Sequence, residues 1–544
     1  MEERKQTAVP KRVLLFTNSE HGQANVFLAT SYALLTEDED VEVHFASFPP
    51  IQSFVSTTSN HAQQDKPGSR PIIFHTIDGP DMVTAWTRPE TVAEQAALNN
   101  PSMLSLVNAI RRTLVLLKVT LPWTGPEFVQ IMHSVTNILH AVQPDIIAVD
   151  PAFSPALTAL RHIKAKFIIL TPNTIKDFAM PLQPNGEALW KYPCLGTSTP
   201  YPLPATSIPR NILLILLSLL VSLLDPNRRS LAAYLSTQIP GAPLTTLATL
   251  SLNPSALNTK FLVANLPEME FPLKVIPPHI VPCGPMLRPA RPVAEVDPDL
   301  GAWLRSDGPD GGPVVYVNLG THVFYDEGTA GEMARAVKVL LGSSNLKVRV
   351  LWKIPRRGKE VEGNEHGGGE GRWVFGSGGV VERVLGEEVR TGVVKVVEWI
   401  EAEPSALLEA GSVVCAVHHG GANSFLEAVH AGVPQVVLPV WMDTYDFARR
   451  TEILGIGRWG NRLADKLCEG NELGAILAEV VVGERASAYA QRARELAELC
   501  KKSGGGRVSA ARHILAEIEG HSQSPSQGEK ESDLLLDGHS NGHC

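Results

Sequence analysis

Apolar residues recur along this chain in short solid blocks separated by stretches of helical spacing. RVLLFT (12–17) is the first block, and a polar loop, NSEHGQ, follows it. Apolar positions at Phe27, Leu28, Tyr32 and Leu35 then predict a helix over about Asn25 to Leu35. VEVHFAS (41–47) alternates as a second strand. DIIAVD (145–150) and AKFIIL (165–170) are two more, separated by the helical SPALTALRHIK. Strand, helix, strand, repeated, is the pattern of a parallel doubly wound sheet. The pattern fades through the Pro-rich residues 176–260, which include ILLILLSLLVSLL (212–224), and it is absent from the proline-dense residues 266–298. It restarts with VVYVNLG (314–320), a helix at 329–341, KVRVLWKI (347–354), VVKVV (393–397), VVCAV (413–417) and QVVLPV (435–440).

The chain therefore divides into an α/β domain at 1–265, a linker at 266–298 and a second α/β domain at 299–505. The Gly- and Glu-rich residues 355–392 are expected to be a surface insertion in the second domain. RVSAARHILAEIE, within 506–519, is amphipathic and predicts a last helix, and the polar residues 520–544 are expected to be disordered. A length of 544 residues suits two hydrophobic cores better than one. The net charge of −9 argues against a nucleic-acid partner, which would need a basic face. The six cysteines are scattered without a CxxC pair, which reads as reduced thiols in a cytoplasmic protein. MEERKQTAVPKR carries no apolar signal region. The leucine run 212–224 is shorter than a membrane span and is stopped by Asp225-Pro226-Asn227-Arg228-Arg229. A buried or pocket-lining helix is the favoured reading there. A weak contact with a membrane surface is the alternative.

Chemistry concentrates in VVCAVHHGGANSFLEAVHAGVPQVVLPVWMDTYDFARR (413–450). A strand runs into His418-His419-Gly420-Gly421, and a helix begins near Ala422 with Asn423 and Ser424 in its first turn. Gly432 ends that helix and Pro434 prevents its continuation. Free N–H groups and the positive end of the helix dipole then lie beside two glycines and a histidine, an arrangement suited to an anion. Glu427, one turn further on, suits a ribose hydroxyl pair.

These residues resemble the signature of the family 1 UDP-glycosyltransferases. His419, Gly421, Asn423, Ser424, Leu426 and Glu427 match its positions, and the tail TYDFARRTEILGIGRWG resembles the fungal branch. The resemblance implies the GT-B fold, two Rossmann-like domains facing each other across a cleft, with the last helix returning to the first domain. It implies His419, Gly421, Asn423 and Ser424 on the diphosphate, Glu427 on the ribose and Trp399 stacked on the uracil. It further implies Asp443 and Thr444 on the sugar, and Gly320 and Thr321 in a loop near the phosphates. The chain departs from the family where Pro-Gln after the tryptophan becomes Glu401-Ala402, and where the Gln after the aspartate becomes Thr444.

In the first half, His21 lies in the first strand-to-helix loop, at the sheet edge where catalytic groups collect. A hydroxyl nucleophile needs a base, and a histidine has a suitable pKa. The family carries a histidine there, while the flanking Gly and Pro of its pattern are absent from Glu20-His21-Gly22-Gln23-Ala24-Asn25. Asp150 ends its strand at the same edge and corresponds to the family's orienting aspartate; Asp145 begins that strand at the wrong end.

The expected activity is inverting transfer of a sugar, with glucose the commonest in the family, from a UDP-sugar to a small hydrophobic hydroxyl-bearing acceptor, giving a β-glycoside. Neither a metal nor another cofactor is expected, because the helix N-terminus and His419 take the leaving-group charge. Two alternatives are a sugar-nucleotide epimerase on the same fold and a catalytically silent nucleotide-sugar-binding protein. Three features are decoys. Gly455-Ile456-Gly457-Arg458-Trp459-Gly460 follows a helical stretch instead of a strand. His418 and His419 leave a strand toward opposite faces, which disfavours a shared metal. Asp38-Glu39-Asp40 reads as a solvated acidic turn.

Overall fold

The computed structural model describes residues 10–88, 119–252, 259–305, 311–321, 323–343, 347–354, 378–464 and 467–522. These residues build two wholly parallel sheets. The first contains β1 (Lys11–Phe16), β2 (Val41–Ser47), β3 (Ile73–Thr76), β4 (Ile146–Val149), β5 (Ile168–Thr171), β6 (Phe261–Val263) and β7 (Ile280–Pro282), in the order β3-β2-β1-β4-β5-β6-β7. The second contains β8 (Val314–Asn318), β9 (Arg349–Lys353), β10 (Val394–Val397), β11 (Val413–His418), β12 (Gln435–Val437) and β13 (Gly457–Trp459), in the order β10-β9-β8-β11-β12-β13. In each sheet the strand order reverses once, between β1 and β4 and between β8 and β11. Such switch points open a crevice at the carboxyl ends of the strands, where ligands bind. The loops leaving these four strands carry His21, Asp150, Gly320 with Thr321, and His419 with Gly421.

The helices that position the site are α1 (His21–Glu37), α2 (Ile175–Ala179), α3 (Ile208–Leu224), α4 (Glu327–Ser343), α5 (Val380–Arg390), α6 (Ala422–Ala431), α7 (Thr444–Ile453) and α8 (Gly506–Ser522). Helix α1 is buried around most of its circumference, from Ala24 through Leu35, because the sheet covers one side and α8 the other. Ala510, Ala511, Ile514 and Ile518 of α8 join the same core as Val26, Phe27 and Leu34. Arg512 Nε donates to Glu37 at 3.1 Å, and Lys11 pairs with Glu519 at 3.2 Å. The return of the last helix to the first domain is therefore seen, and the helix extends beyond 519 to Ser522.

Three sequence-based expectations are corrected. The linker at 266–298 contains β7, whose Ile280 pairs with Phe261, so the first sheet extends past residue 265. Three residues on a sheet edge are too few to show periodicity, and an edge strand tolerates Pro282. The insertion at 355–392 is not all peripheral. Its end forms α5, which buries Val381 and Leu385 in the second domain's core against α4; residues 355–377 lie outside the described residues, as does most of the proposed disordered tail, 523–544. Finally, α3 is not a buried helix. Leu213, Leu216, Leu220, Leu223 and Leu224 are 45 to 62% exposed, along one stripe, and only Asn211 and Leu214 are buried. Together with the helix that follows it, Pro226–Gln238, the segment Ala205–Gln238 is long and apolar enough to cross a membrane by length and composition alone.

Candidate active site

β11 delivers His418 into the interior. Its Nδ1 accepts from the Gly420 N–H at 3.1 Å, and its Nε2 bonds the Gln435 side-chain oxygen at 2.8 Å. Burial pushes the imidazole down to about 4, so it stays neutral and braces the turn. Gly420 follows with φ of +88°, and an added Cβ would lie 2.8 Å from the Thr444 carbonyl oxygen; only glycine turns the chain there. Gly421 then caps α6, which stops at Gly432 in a left-handed conformation. The His419 ring fills the space between two loops. A Cβ on Gly320 would stand 2.8 Å from His419 Cε1, and one on Gly421 would stand 2.6 Å from His419 Nε2. Gly320, His419 and Gly421 thus meet at the amino end of α6, with Thr321 exposed beside them. Asn318, which sequence reasoning passed over, accepts from Gly320 N at 3.1 Å and donates to Tyr316 Oη at 2.8 Å, fixing that loop.

Beneath the start of α6 lies a small recess lined by Tyr316, Asn318, Pro404, Leu408, His418, Ser424 and Glu427. Burial, with Glu403 nearby, pushes the Glu427 carboxyl up to about 8. Glu403 is itself held by Arg288 at 2.6 Å, and Arg288 lies over the Phe54 ring of the first domain at 5.3 Å. Trp399 stands after β10 and is 59% exposed, with Lys353 Nζ 4.3 Å from its ring centroid.

Across the cleft, His21 begins α1, whose N-cap is the Glu20 side chain accepting from Gln23 N. The His21 ring packs edge-on to Phe54 at 4.5 Å. Asn423 Nδ2 of α6 donates to the His21 carbonyl at 3.2 Å, so the two domains touch where both candidate constellations end. Asp150 is fully buried. It accepts from Ala152 N at 2.7 Å, Thr17 Oγ1 at 3.3 Å and the Asn18 N and Nδ2 groups at 3.4 Å, which ties it to the loop leading to His21. Burial pushes its carboxyl up to about 6. Asp145 instead accepts from Arg12 N at 2.7 Å at the opposite sheet edge, a structural role.

Asp443 and Thr444 separate in role. Asp443 is partly exposed at the start of α7, and burial together with Asp177 and Asp446 pushes its carboxyl up to about 7. Thr444 has no exposed surface. Its Oγ1 accepts from Val440 N and Trp441 N, each at 3.1 Å, and donates to the Trp441 carbonyl. The hydroxyl closes the turn from within.

Comparison with known proteins gives this geometry its context. The erythromycin biosynthesis protein CIII-like C-terminal domain matches residues 384–500. Over 516 residues the chain is 34% identical to glycosyltransferase sdnJ of Sordaria araneosa, covering 91% of this chain and 95% of that protein. The chain is a family 1 UDP-glycosyltransferase. UDP-glycosyltransferase 84A2 of Arabidopsis thaliana is 31% identical over 248 residues, 42% of this chain and 44% of that protein. Among solved structures, a UDP-glucosyltransferase from Polygonum tinctorium capable of glucosylating indoxyl superposes with a TM-score of 0.60 at 17% identity, covering 94% of this chain and 99% of that one. Phytolacca americana UGT2, complexed with UDP-2-fluoroglucose and pterostilbene, gives 0.57 at 14% identity, with the same coverage. These likenesses fix the GT-B fold.

The decoy motifs have structural duties in this transferase. Gly457–Trp459 is the edge strand β13, inside the would-be dinucleotide fingerprint. Asp38 pairs with Lys11 at 3.1 Å in its turn. Among the described residues, no three His, Cys, Asp or Glu side chains are grouped to hold a metal ion.

Proposed function

We propose that this UDP-glycosyltransferase is an inverting enzyme that moves glucose from UDP-glucose to a hydroxyl of a small hydrophobic acceptor. The His21 imidazole takes the acceptor proton, the oxygen forms a bond to sugar C1, and the C1–oxygen bond to UDP breaks. The UDP charge is received by His419, the α6 N–H groups with Asn423 and Ser424, and the Gly320-Thr321 loop. No metal takes part in that step. Trp399 stacks on the uracil, Glu427 accepts from the ribose hydroxyls and Asp443 from the sugar. Asp150 orients the loop and ring of His21. Inversion of the α-linked donor gives a β-glycoside. The glucose donor and aromatic acceptors named for the Polygonum and Phytolacca structures support this choice of substrates.

The observation that carries the reading is the 3.2 Å bond from Asn423 to the His21 carbonyl, which brings the base to the amino end of the diphosphate helix. We place the enzyme in the cytoplasm, with the exposed leucine stripe of α3 as a membrane-surface contact. The test is turnover of UDP-glucose with a panel of hydrophobic alcohols, followed by assignment of the anomer. His21→Ala should cut kcat by roughly 10²–10⁴-fold while UDP affinity stays within a factor of two. A His21→Ala enzyme that keeps more than about a tenth of its kcat refutes the base, and an α-glycoside refutes inversion.

A further inference from the structure

Helix α7 carries Asp443 at its start and packs on β12 and β13 of its own domain, yet its buried charged side chains bond to the other domain. One turn on, Asp446 is 2% exposed and receives Lys176 Nζ from α2 of the first domain. Arg449 Nη1 donates to the second Asp446 oxygen at 2.6 Å. The remaining Arg449 donors reach the first domain too, with Nε on the Thr199 carbonyl at 2.7 Å and Nη2 on the Thr197 carbonyl. Arg450 donates to the Met269 carbonyl at 3.2 Å and lies 3.6 Å from Glu270. Glu270 in turn accepts from the Lys176 backbone N at 3.2 Å and from Asn265 Nδ2 at 3.0 Å. Lys176, Glu270, Asp446, Arg449 and Arg450 are each less than a tenth exposed.

We propose that Lys176 is a positioning residue for the donor sugar, setting through Asp446 and Arg449 where Asp443 stands relative to the acceptor domain. Burying five charges is unfavourable unless their geometry is well satisfied, and such clusters are weak sources of stability. What this one supplies is direction. The planar Arg449 fork and the two Asp446 oxygens admit one orientation of α7 against residues 176, 197 and 199. Residues 444–451 are buried, and Asp443, just ahead of that bolt at the helix start, is partly exposed. A displacement of about 1 Å there is enough to cost roughly a hundredfold in rate.

Charge gives a second handle. Asp443 is faced by Asp177 and Asp446, which hold its carboxyl up, and by Arg450, which opposes them. Lys176 and Arg449 offset Asp446, and the nearby Cys194 thiol is pushed up to about 11 by burial and stays neutral. Removing the Lys176 ammonium leaves Asp446 less compensated, so Asp443 should titrate at higher pH.

This inference rests on Asp443 reading the sugar, and the experiment separates the two. UDP affinity, and kcat and KM for UDP-glucose, are measured across pH for Lys176→Met, Lys176→Arg, Asp446→Asn and Asp443→Ala. Lys176→Met should lose about 10–100-fold in kcat. Its UDP affinity should stay within twofold, the acid limb of its pH profile should move to higher pH, and Lys176→Arg should recover most of the rate. Asp446→Asn, nearly unchanged in shape, stands in if Lys176→Met does not fold. A folded Lys176→Met or Asp446→Asn enzyme with normal kcat and pH profile overturns the inference while Asp443→Ala remains impaired. Equal losses of UDP affinity and kcat overturn it too, since the network would then support the nucleotide site. Full turnover by Asp443→Ala overturns the sugar reading itself.

Discussion

Glu427 should make the empty enzyme less stable as pH rises, and Glu427→Gln should remove that dependence. The carboxyl lines the recess below α6 with Ser424, Asn318 and Tyr316. Burial and Glu403 push it from 4.5 up to about 8, against the pull of Arg288. Between those two values the folded chain keeps a proton that the unfolded chain has released. Stability therefore falls through that window as pH climbs and levels off above about 8. At about 1.4 kcal/mol per pKa unit, the loss between pH 6 and pH 9 is at most about 2–3 kcal/mol. The side chain is partly exposed, and solvent screening brings the expected difference to about 1–2 kcal/mol. Urea unfolding of both proteins at the two pH values, without nucleotide, measures it. Glu427→Gln should gain on the wild type by that amount from pH 6 to pH 9, yet bind UDP more weakly. Parallel pH dependences would show that the recess does not hold the Glu427 carboxyl protonated above the usual range.

One substitution and one truncation probe other elements. Thr444→Gln, which family resemblance alone would favour for glucose, should instead lower stability by about 1–3 kcal/mol, because it removes the buried hydroxyl that closes the 440–444 turn; a stable variant with improved glucose turnover would contradict this. Truncation after residue 505 should abolish soluble expression, since it strips Ala510, Ala511, Ile514 and Ile518 from the core around α1. Soluble, cooperatively unfolding material would show that α8 is dispensable.

What the sequence made legible was local. Each buried block of three or more apolar residues with a helical stretch behind it, such as RVLLFT before α1 or VVCAV before α6, became a strand of the expected sheet. Glycines that the φ angle or a close approach demands, Gly320, Gly420 and Gly421, were readable because no other residue fits. What stayed hidden depends on long-range partners. Lys176 and Asp446 are 270 positions apart, and nothing in either segment announces the other. Arg288, the partner of Glu403, lies in a proline-rich stretch that reads as linker. Composition alone could not tell whether the leucines of α3 were covered. At Thr444, residue type carried no information about which way a short side chain turns.

The three carboxyl groups proposed to work in the cleft share one property. Burial pushes Asp150 up to about 6, Asp443 to about 7 and Glu427 to about 8. Burial outweighs the donors and cations that the fold offers these acids near neutral pH, and a polyhydroxylated ligand supplies further donors. Ribose hydroxyls should lower the Glu427 value, and sugar hydroxyls should lower that of Asp443. Near pH 7 UDP should then release a fraction of a proton on binding, and UDP-glucose should release more. Calorimetry in buffers of different ionisation enthalpy counts those protons. The excess for UDP-glucose should vanish in Asp443→Asn, while the part common to both ligands should vanish in Glu427→Gln. Equal release by the two ligands in the wild-type enzyme would mean that the sugar does not touch a protonated Asp443, and the division of labour between these carboxylates would fail.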